Sequence, residues 1–377
     1  MFSALSLFSG AGGMDIGIRQ AGFEILACIE IDPYCCQTLH NAIKKEKLKT
    51  ILLEEDIRQV QPFQLMKDLG LQVGELDLLF GGSPCQSFSQ AGKRTSLEDE
   101  RGVLLFEFIR FAGTIKPKVI LMEQVKGLLT ASDQSGNSGG VYKQLNHQFE
   151  QLGYRSSIKV INSADYGVAQ LRERVFIVAT RAEKIFDFPL PTHRKSDPQI
   201  SLFPLENYVT VGQALMGLDS PSCDRENQPL DSHIDITPAG DRKRIHGVPE
   251  GSFLAKELHL PAEQRCKLTK KDTTKFRRLS FSEPSLTLRC GEIFFHPIED
   301  RYLTPREYMR IHGYPDDYLL KGPVRGRSGR ARHLDQHRQV ANSVPPPVAR
   351  AISKEIASFL NQEKFVEPSE KIELLNA

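Results

Sequence analysis

From Met1 to about Arg181, short apolar runs alternate with longer mixed segments. Short apolar runs bounded by turn formers read as buried strands, and apolar residues recurring every three or four positions read as amphipathic helices. The runs predict strands at Ala4–Phe8, Ile25–Ile29, Leu76–Phe80, Val119–Met122, Ile158–Ile161 and Val175–Ala179. Arg101–Thr114 and Gly140–Leu152 carry the helical spacing, and the Ser/Gly-rich Ser132–Gly140 reads as an exposed loop. This alternation predicts an α/β fold with a parallel sheet and crossover helices. From about Phe186 to Lys275 the rhythm is lost among prolines and isolated polar residues, which predicts a separate, irregular domain. It returns at Leu303–Tyr314 and at Pro347–Leu360, where Val348, Ile352, Ile356 and Phe359/Leu360 make one helical face. From about Gln362 the chain is charged and expected to fray.

With 377 residues the chain is long enough for two domains with sizeable cores. Met1 leads straight into an apolar strand and a glycine turn, without the regions of a signal peptide, and no apolar run reaches membrane-spanning length. Seven cysteines, at 28, 35, 36, 85, 223, 266 and 290, form no CxxC pair and no zinc-ligand spacing. A reducing, cytoplasmic setting without structural metal or disulfide follows as the expectation. The net charge of +2 does not by itself advertise a nucleic-acid partner, so only local basic clusters can.

Reactive residue types follow the predicted strands at their C-terminal ends, where open α/β sheets bind ligands, so one shared site is expected. The first strand runs into Phe8-Ser9-Gly10-Ala11-Gly12-Gly13, a turn that lets backbone approach a ligand closely. The spacing is not GxGxxG, and a glycine turn after a strand is common. Glu30, with Ile31 beside it, follows the second strand at roughly the 20-residue offset at which an acid can hold ribose hydroxyls. Asp56-Ile57 offers a carboxylate and an apolar side chain to an adenine ring; Asp56 could equally be a helix cap. After the third strand, Pro84-Cys85 sits in a loop of Gly, Ser and Pro with no periodicity to bury it, whereas Cys28, Cys35 and Cys36 read as buried small hydrophobes. Near positive dipoles an exposed thiol drops below its reference pKa of roughly 8.5 and becomes a nucleophile. Glu123 follows the fourth strand. Gln170, Arg172 and Arg174 alternate at period two, so an extended segment would aim three donors one way, toward an acceptor-rich partner or simply solvent.

Taken in order, Phe8–Gly13, Pro84-Cys85-Gln86, Glu123-Gln124-Val125, Gln170-x-Arg172-x-Arg174, Arg301–Pro315 and Gln339-Val340-Ala341-Asn342-Ser343-Val344-Pro345 resemble the motif series of the bacterial DNA (cytosine-5) methyltransferases. The resemblance implies a Rossmann-like S-adenosylmethionine-dependent fold: a catalytic domain over 1–185, completed by 336–377, and a smaller target-recognition domain over 186–335. It implies that Phe8, Ser9, Gly10, Ala11, Gly12, Gly13, Glu30, Ile31, Asp56, Ile57, Pro84, Asn342 and Ser343 bind S-adenosylmethionine. Cys85 would add to the base, Glu123 would contact cytosine N3 and Arg174 its O2, with Arg172 in the same catalytic group. The sequence departs from the family pattern with Gln124 for Asn, Ala341 for Gly, Ala169 for Pro and Ser6 for Asp, none of which removes a reacting group.

Carbon 5 of cytosine is a poor nucleophile, and thiolate addition at C6 makes it an enamine carbon. A target inside a duplex must be flipped out first. Gln86–Asp99 is a plausible lid, and two basic runs could grip phosphate: Lys267–Arg278, with Lys267, Lys270, Lys271, Lys275, Arg277 and Arg278, and Arg325–Arg338. The expected partner is double-stranded DNA, with a cognate restriction endonuclease on the same site, and the protein is expected to be monomeric. The alternatives are the same chemistry on tRNA, a silent DNA-binding protein of this fold, and a dinucleotide-dependent oxidoreductase.

Overall fold

The apolar runs become strands because each is short and rich in Val, Ile, Leu and Phe; those at the centre of the sheet, Phe2–Leu7, Leu78–Gly81 and Val119–Gln124, are buried on both faces, while the edge run in Arg155–Asn162 stays largely open. The structure is a computed structural model that describes residues 1–84, 100–133, 135–195, 205–254, 261, 263, 276–325 and 333–366. The strands in chain order are β1 (Phe2–Leu7), β2 (Phe23–Ile29), β3 (Ile51–Leu53), β4 (Leu78–Gly81), β5 (Val119–Gln124), β6 (Arg155–Asn162), β7 (Gln170–Leu171) and β8 (Glu173–Thr180). All but β7 join a 7-stranded sheet in the order β3-β2-β1-β4-β5-β8-β6. This is a Rossmann-like α/β arrangement. The first helices are α1 (Gly13–Gln20), α2 (Pro33–Glu46), α3 (Pro62–Asp68), α4 (Glu100–Ile115) and α5 (Gly140–Gln151).

The sheet is parallel except at one place: β8 runs antiparallel to both β5 and β6. The all-parallel expectation fails there because β6 ends at Asn162 and β8 begins at Glu173, too short a link for a crossover helix. A single 3-10 turn, Ser163–Tyr166, and β7 fill the gap. Strand β3 was not expected, since three residues, one exposed and two partly buried, give no periodicity to read.

Each face of the sheet carries its own core. Leu5, Leu7, Leu79, Phe108, Phe111, Ile120 and Phe149 pack on the side of α3, α4 and α5. On the other side, Ile18, Phe80, Leu121, Phe176 and Val178 meet α10 (Pro346–Gln362), whose Val348, Ile352, Ile356, Phe359 and Leu360 form the buried stripe expected from the sequence. Helices α1 and α10 cross closely because Gly17 has no side chain. A Cβ there would stand 2.5 Å from the Pro346 carbonyl and 2.6 Å from the Ala349 Cβ.

Beyond Phe186 regular structure is sparse, as the lost rhythm predicts. It holds α6 (Val211–Leu215), α7 (Ala239–Ile245) and two-residue strand pairs, with a small core of Ile245, Val248, Leu254, Phe295 and Tyr302. The chain then returns through α8 (Pro305–His312), started by a capping box between Thr304 and Glu307, and α9 (Gln336–Asn342). Leu303, Tyr308, Tyr314 and Tyr318 share one cluster with Ala11 and Ile16, so this return leg packs behind the glycine turn. No helix among the described residues is long and apolar enough to cross a membrane, and no His/Cys/Asp/Glu group among them could hold a metal ion.

Candidate active site

The carboxyl ends of β1, β2, β4 and β5 open onto one cavity of about 480 Å³. At its floor β1 turns sharply: Phe8 has φ 55°, a left-handed conformation unusual for a residue with a side chain, and Gly10 and Gly12 follow at 56° and 74°. The turn brings the Gly10 N–H to Glu30 Oε2 at 2.6 Å, while Glu30 Oε1 accepts from the N–H groups of Ile31 (2.9 Å) and Asp32 (2.8 Å). Burial pushes the Glu30 carboxyl above its ordinary pKa, and these three donors pull it back. Phe8, Ser9, Gly10, Ala11, Gly13, Glu30, Ile31, Asp56, Ile57, Pro84, Asn342 and Ser343 all line this cavity. Gly12 stands behind the wall, capping α1.

The wall on this side is acidic, with Asp15, Glu30, Asp32, Glu55 and Asp56. Asp56 caps no α-helix. It holds Arg58 through both carboxylate oxygens, and that side-chain bond depresses its pKa. Asp15 is buried: its Oδ1 accepts from the Cys28 thiol at 3.3 Å, and its Oδ2 has no partner among the described residues. Burial raises both pKa values, so Cys28 stays a thiol, and Cys28, Cys35 and Cys36 are all buried as the sequence suggests.

The opposite wall belongs to β5 and β8. Glu123, 8% exposed, places Oε1 3.1 Å from Arg174 Nε. Gly82 makes room for that carboxylate, since a Cβ there would lie 2.9 Å from Glu123 Oε2. Gln124 donates from Nε2 to the Ser83 carbonyl (3.0 Å) and hydroxyl (2.5 Å), tethering the strand that leads into Pro84. Cys85 and the Gln86–Asp99 stretch lie outside the described residues. Pro84, which directly precedes Cys85, is exposed in the cavity wall.

The period-two expectation for Gln170, Arg172 and Arg174 needs correction, because the three do not act as equivalent donors toward a partner. Gln170 is fully buried and hydrogen bonded to His312 and the Leu288 N–H. Arg172, 1% exposed, donates to the carbonyls of Ala341 (2.9 Å) and Ser343 (3.1 Å), and burial lowers its pKa to about 9. Its guanidinium therefore clamps the returning chain at the cavity wall, while Arg174 pairs with Glu123. The short β7 pairs with Ser285–Leu286, which turns this segment inward and removes the solvated edge the sequence allowed.

The basic runs are also divided. Lys267, Lys270, Lys271 and Lys275 lie outside the described residues, as do 326–332. Arg278 is 5% exposed, bonded to Asp300 at 2.5 Å and to several main-chain carbonyls, so its guanidinium is spent inside the protein and is not the exposed phosphate contact expected of it. Arg277 packs its guanidinium 5.1 Å from the Phe253 ring, and Arg325 stands 5.6 Å from that of Tyr302. Arg338 is paired with Asp335.

Several residues of the site were not anticipated. Asp32 caps α2 through Oδ1 and, through Oδ2, accepts the Leu334 N–H at 2.8 Å; Leu334 lines the cavity. The cap was legible from Asp32-Pro33, but nothing local marks the second bond. Cys290, an exposed residue, donates to Asn342 Oδ1 at 2.7 Å.

The pattern of the C-5 cytosine-specific DNA methylases matches residues 2–358. The Type II methyltransferase M.NgoFVII of Neisseria gonorrhoeae is 32% identical over 380 residues, covering 97% of this chain and 91% of the relative. M.PspPI of a Psychrobacter strain is 35% identical over 373 residues, covering 96% and 80%. Among solved structures, a protein described as a DNA modification methyltransferase encoded within an E. coli prophage superposes with a TM-score of 0.67 at 21% identity, covering 96% of this chain and 100% of that one. Methyltransferase EhMeth of Entamoeba histolytica gives 0.59 at 15%, covering 96% and 99%. At these identities the structural likeness speaks for the fold alone.

Proposed function

The chain belongs to the C-5 cytosine-specific DNA methylase family and is a DNA cytosine-5 methyltransferase, and from that premise we propose that it methylates a flipped-out cytosine within a specific duplex sequence, using Cys85 as nucleophile and the acidic cavity to hold S-adenosylmethionine. The observation that carries this reading is that Glu123, Arg174 and Pro84, on one wall, share a cavity with Glu30 and the glycine turn on the other.

The cavity suits this cofactor. Its volume of about 480 Å³ falls in the ordinary small-molecule range. Glu30 keeps acceptor capacity beyond its three N–H partners for ribose hydroxyls, and Ile31, Ile57 and Leu334 offer apolar surface to a ring. Five carboxylates against one paired arginine at the adenosine end favour a cationic ligand and oppose the pyrophosphate of a dinucleotide, which weakens the oxidoreductase alternative. When bound, S-adenosylmethionine supplies a methyl group activated by its sulfonium.

The chain's own residues do the rest. The Cys85 thiolate forms a bond to C6, and the ring electrons move toward N3 and C5. Glu123 delivers a proton to N3 as that charge develops, so it must be protonated when it acts, and Arg174 turns a cation toward O2. After the methyl reaches C5, solvent takes the C5 proton, the electrons of that C–H bond re-form the C5–C6 double bond and expel the Cys85 thiolate, and N3 returns its proton to Glu123, which restores the ring. Arg172 holds the Asn342–Ser343 wall in place without touching the base.

Residues 1–185 with 336–377 form the proposed catalytic domain, and 186–335 the proposed target reader, which would contact base edges from one side of a cleft. The protein acts as a monomer in the reducing cytoplasm, where Cys85 escapes oxidation, beside a companion restriction enzyme that cuts the same site. The test is transfer of labelled methyl to plasmid DNA and to total tRNA side by side, with Cys85→Ser as control. Label is expected in plasmid only, abolished by Cys85→Ser with S-adenosylmethionine binding kept. Label confined to tRNA, or a Cys85→Ser enzyme of near-normal rate, would overturn it.

A further inference from the structure

Three separate parts of the chain, at Gln170, His312 and Ser343, meet at one buried imidazole. His312, the last residue of α8, is fully buried. Its Nδ1 lies 3.0 Å from Gln170 Nε2 and its Nε2 lies 3.0 Å from the Ser343 carbonyl. The direction of these bonds follows from their neighbours. The Leu288 N–H donates to Gln170 Oε1 at 3.2 Å, which fixes the amide with its NH2 group toward the ring. Nδ1 must then accept, so the proton sits on Nε2 and is donated to Ser343, whose carbonyl also receives Arg172 Nη2. Burial, with the charges of Arg172 and Arg174 nearby, keeps the ring neutral.

We infer that His312 is a positioning residue, which through Gln170 and Ser343 sets the Asn342–Ser343 wall of the cofactor cavity by the register of the Ser285–Leu288 segment. The segment before Leu288 pairs with β7, and the segment after Ser343 enters α10, so a run of hydrogen bonds joins Ser285–Leu288 to the cavity wall. Neither ligand need touch the imidazole for it to matter. Its loss leaves a buried amide and half a carbonyl unpartnered beside Arg172.

This inference rests on the reading that the cavity binds S-adenosylmethionine. The test is equilibrium binding of S-adenosylmethionine to the full chain, with thermal melting in parallel, for wild type, His312→Phe and His312→Gln. A glutamine amide can donate to Ser343 and accept from Gln170 as the neutral ring does; phenylalanine can do neither. The expected result is a Kd raised about tenfold in His312→Phe, the effect of losing one buried hydrogen-bond pair, and restored to within about twofold in His312→Gln. If His312→Phe does not fold, His312→Asn, which is too short to bridge both partners, takes its place with the same expectation. Folded variants that bind as wild type, or a glutamine variant as weak as phenylalanine, overturn the inference. A wild-type chain that binds no S-adenosylmethionine removes the cavity reading and this inference with it.

Discussion

Asp32 does two jobs with one carboxylate, and the two can be separated. Oδ1 caps α2 by accepting from the N–H groups of Tyr34 (3.0 Å) and Cys35 (3.1 Å), while Oδ2 holds the Leu334 N–H at 2.8 Å across 302 residues. The side chain is only 11% exposed, so solvent screens neither bond strongly. Losing an N-cap costs about 1 kcal/mol. Losing a charge-assisted bond to a main-chain N–H costs about 1.5–3 kcal/mol. Asp32→Ala removes both, and about 2.5–4 kcal/mol of stability should go with them. Asp32→Ser keeps a capping oxygen but cannot also reach Leu334, so it should recover the cap alone. Because Leu334 forms part of the cavity wall, both variants should weaken S-adenosylmethionine binding alike, by about tenfold to a hundredfold if the whole bond energy is expressed in affinity. Calorimetric binding and thermal melting of the three proteins measure the two effects independently. A serine variant that binds the cofactor as wild type does would refute the latch, whatever its melting temperature.

Three further outcomes follow from the geometry. Arg325→Ala should weaken duplex binding about equally for all sequences and lower the salt slope by about 1, read by fluorescence titration at several salt concentrations; a change in target preference would contradict a phosphate contact. Arg278→Ala should instead destabilise the fold by about 3–5 kcal/mol, since it strips a buried network that includes Asp300 and the Ile245 carbonyl, and its DNA affinity per folded molecule should stay near wild type. Acid should also destabilise the protein through His312. Its folded pKa is depressed, so below about pH 6.5 the unfolded chain takes up a proton that the folded chain refuses, and stability falls by up to about 1.4 kcal/mol per pH unit. Above that pH the residue contributes no slope. Denaturant melts of wild type and His312→Gln between pH 7.5 and 5.5, about one unit either side of the histidine reference pKa, check this: equal slopes for the two would exclude His312 as the source.

The chain's local pattern was enough to read six of the eight strands up to Thr180, the helices α4 and α5, and the residue types standing at the strand ends. Those features are local: apolar periodicity fixes an element within a few residues, and the turn after it fixes where Phe8, Glu30, Glu123 and Pro84 emerge. It also fixed the stripe of α10 and the loss of regularity after Phe186. What it left open is direction and partnership. Period two placed Gln170, Arg172 and Arg174 on one face, but only the packing of β7 on Ser285–Leu286 and of the returning chain behind it decided that Gln170 and Arg172 point into protein. The antiparallel β8, the Asp32 bond to Leu334 and the imidazole of His312 were equally illegible. Each depends on which distant segments meet, with Gln170 and His312 separated by 142 positions and Arg172 and Ser343 by 171. A hydrogen bond between such residues leaves no trace in spacing, because its geometry exists only after the cores on both faces of the sheet have closed.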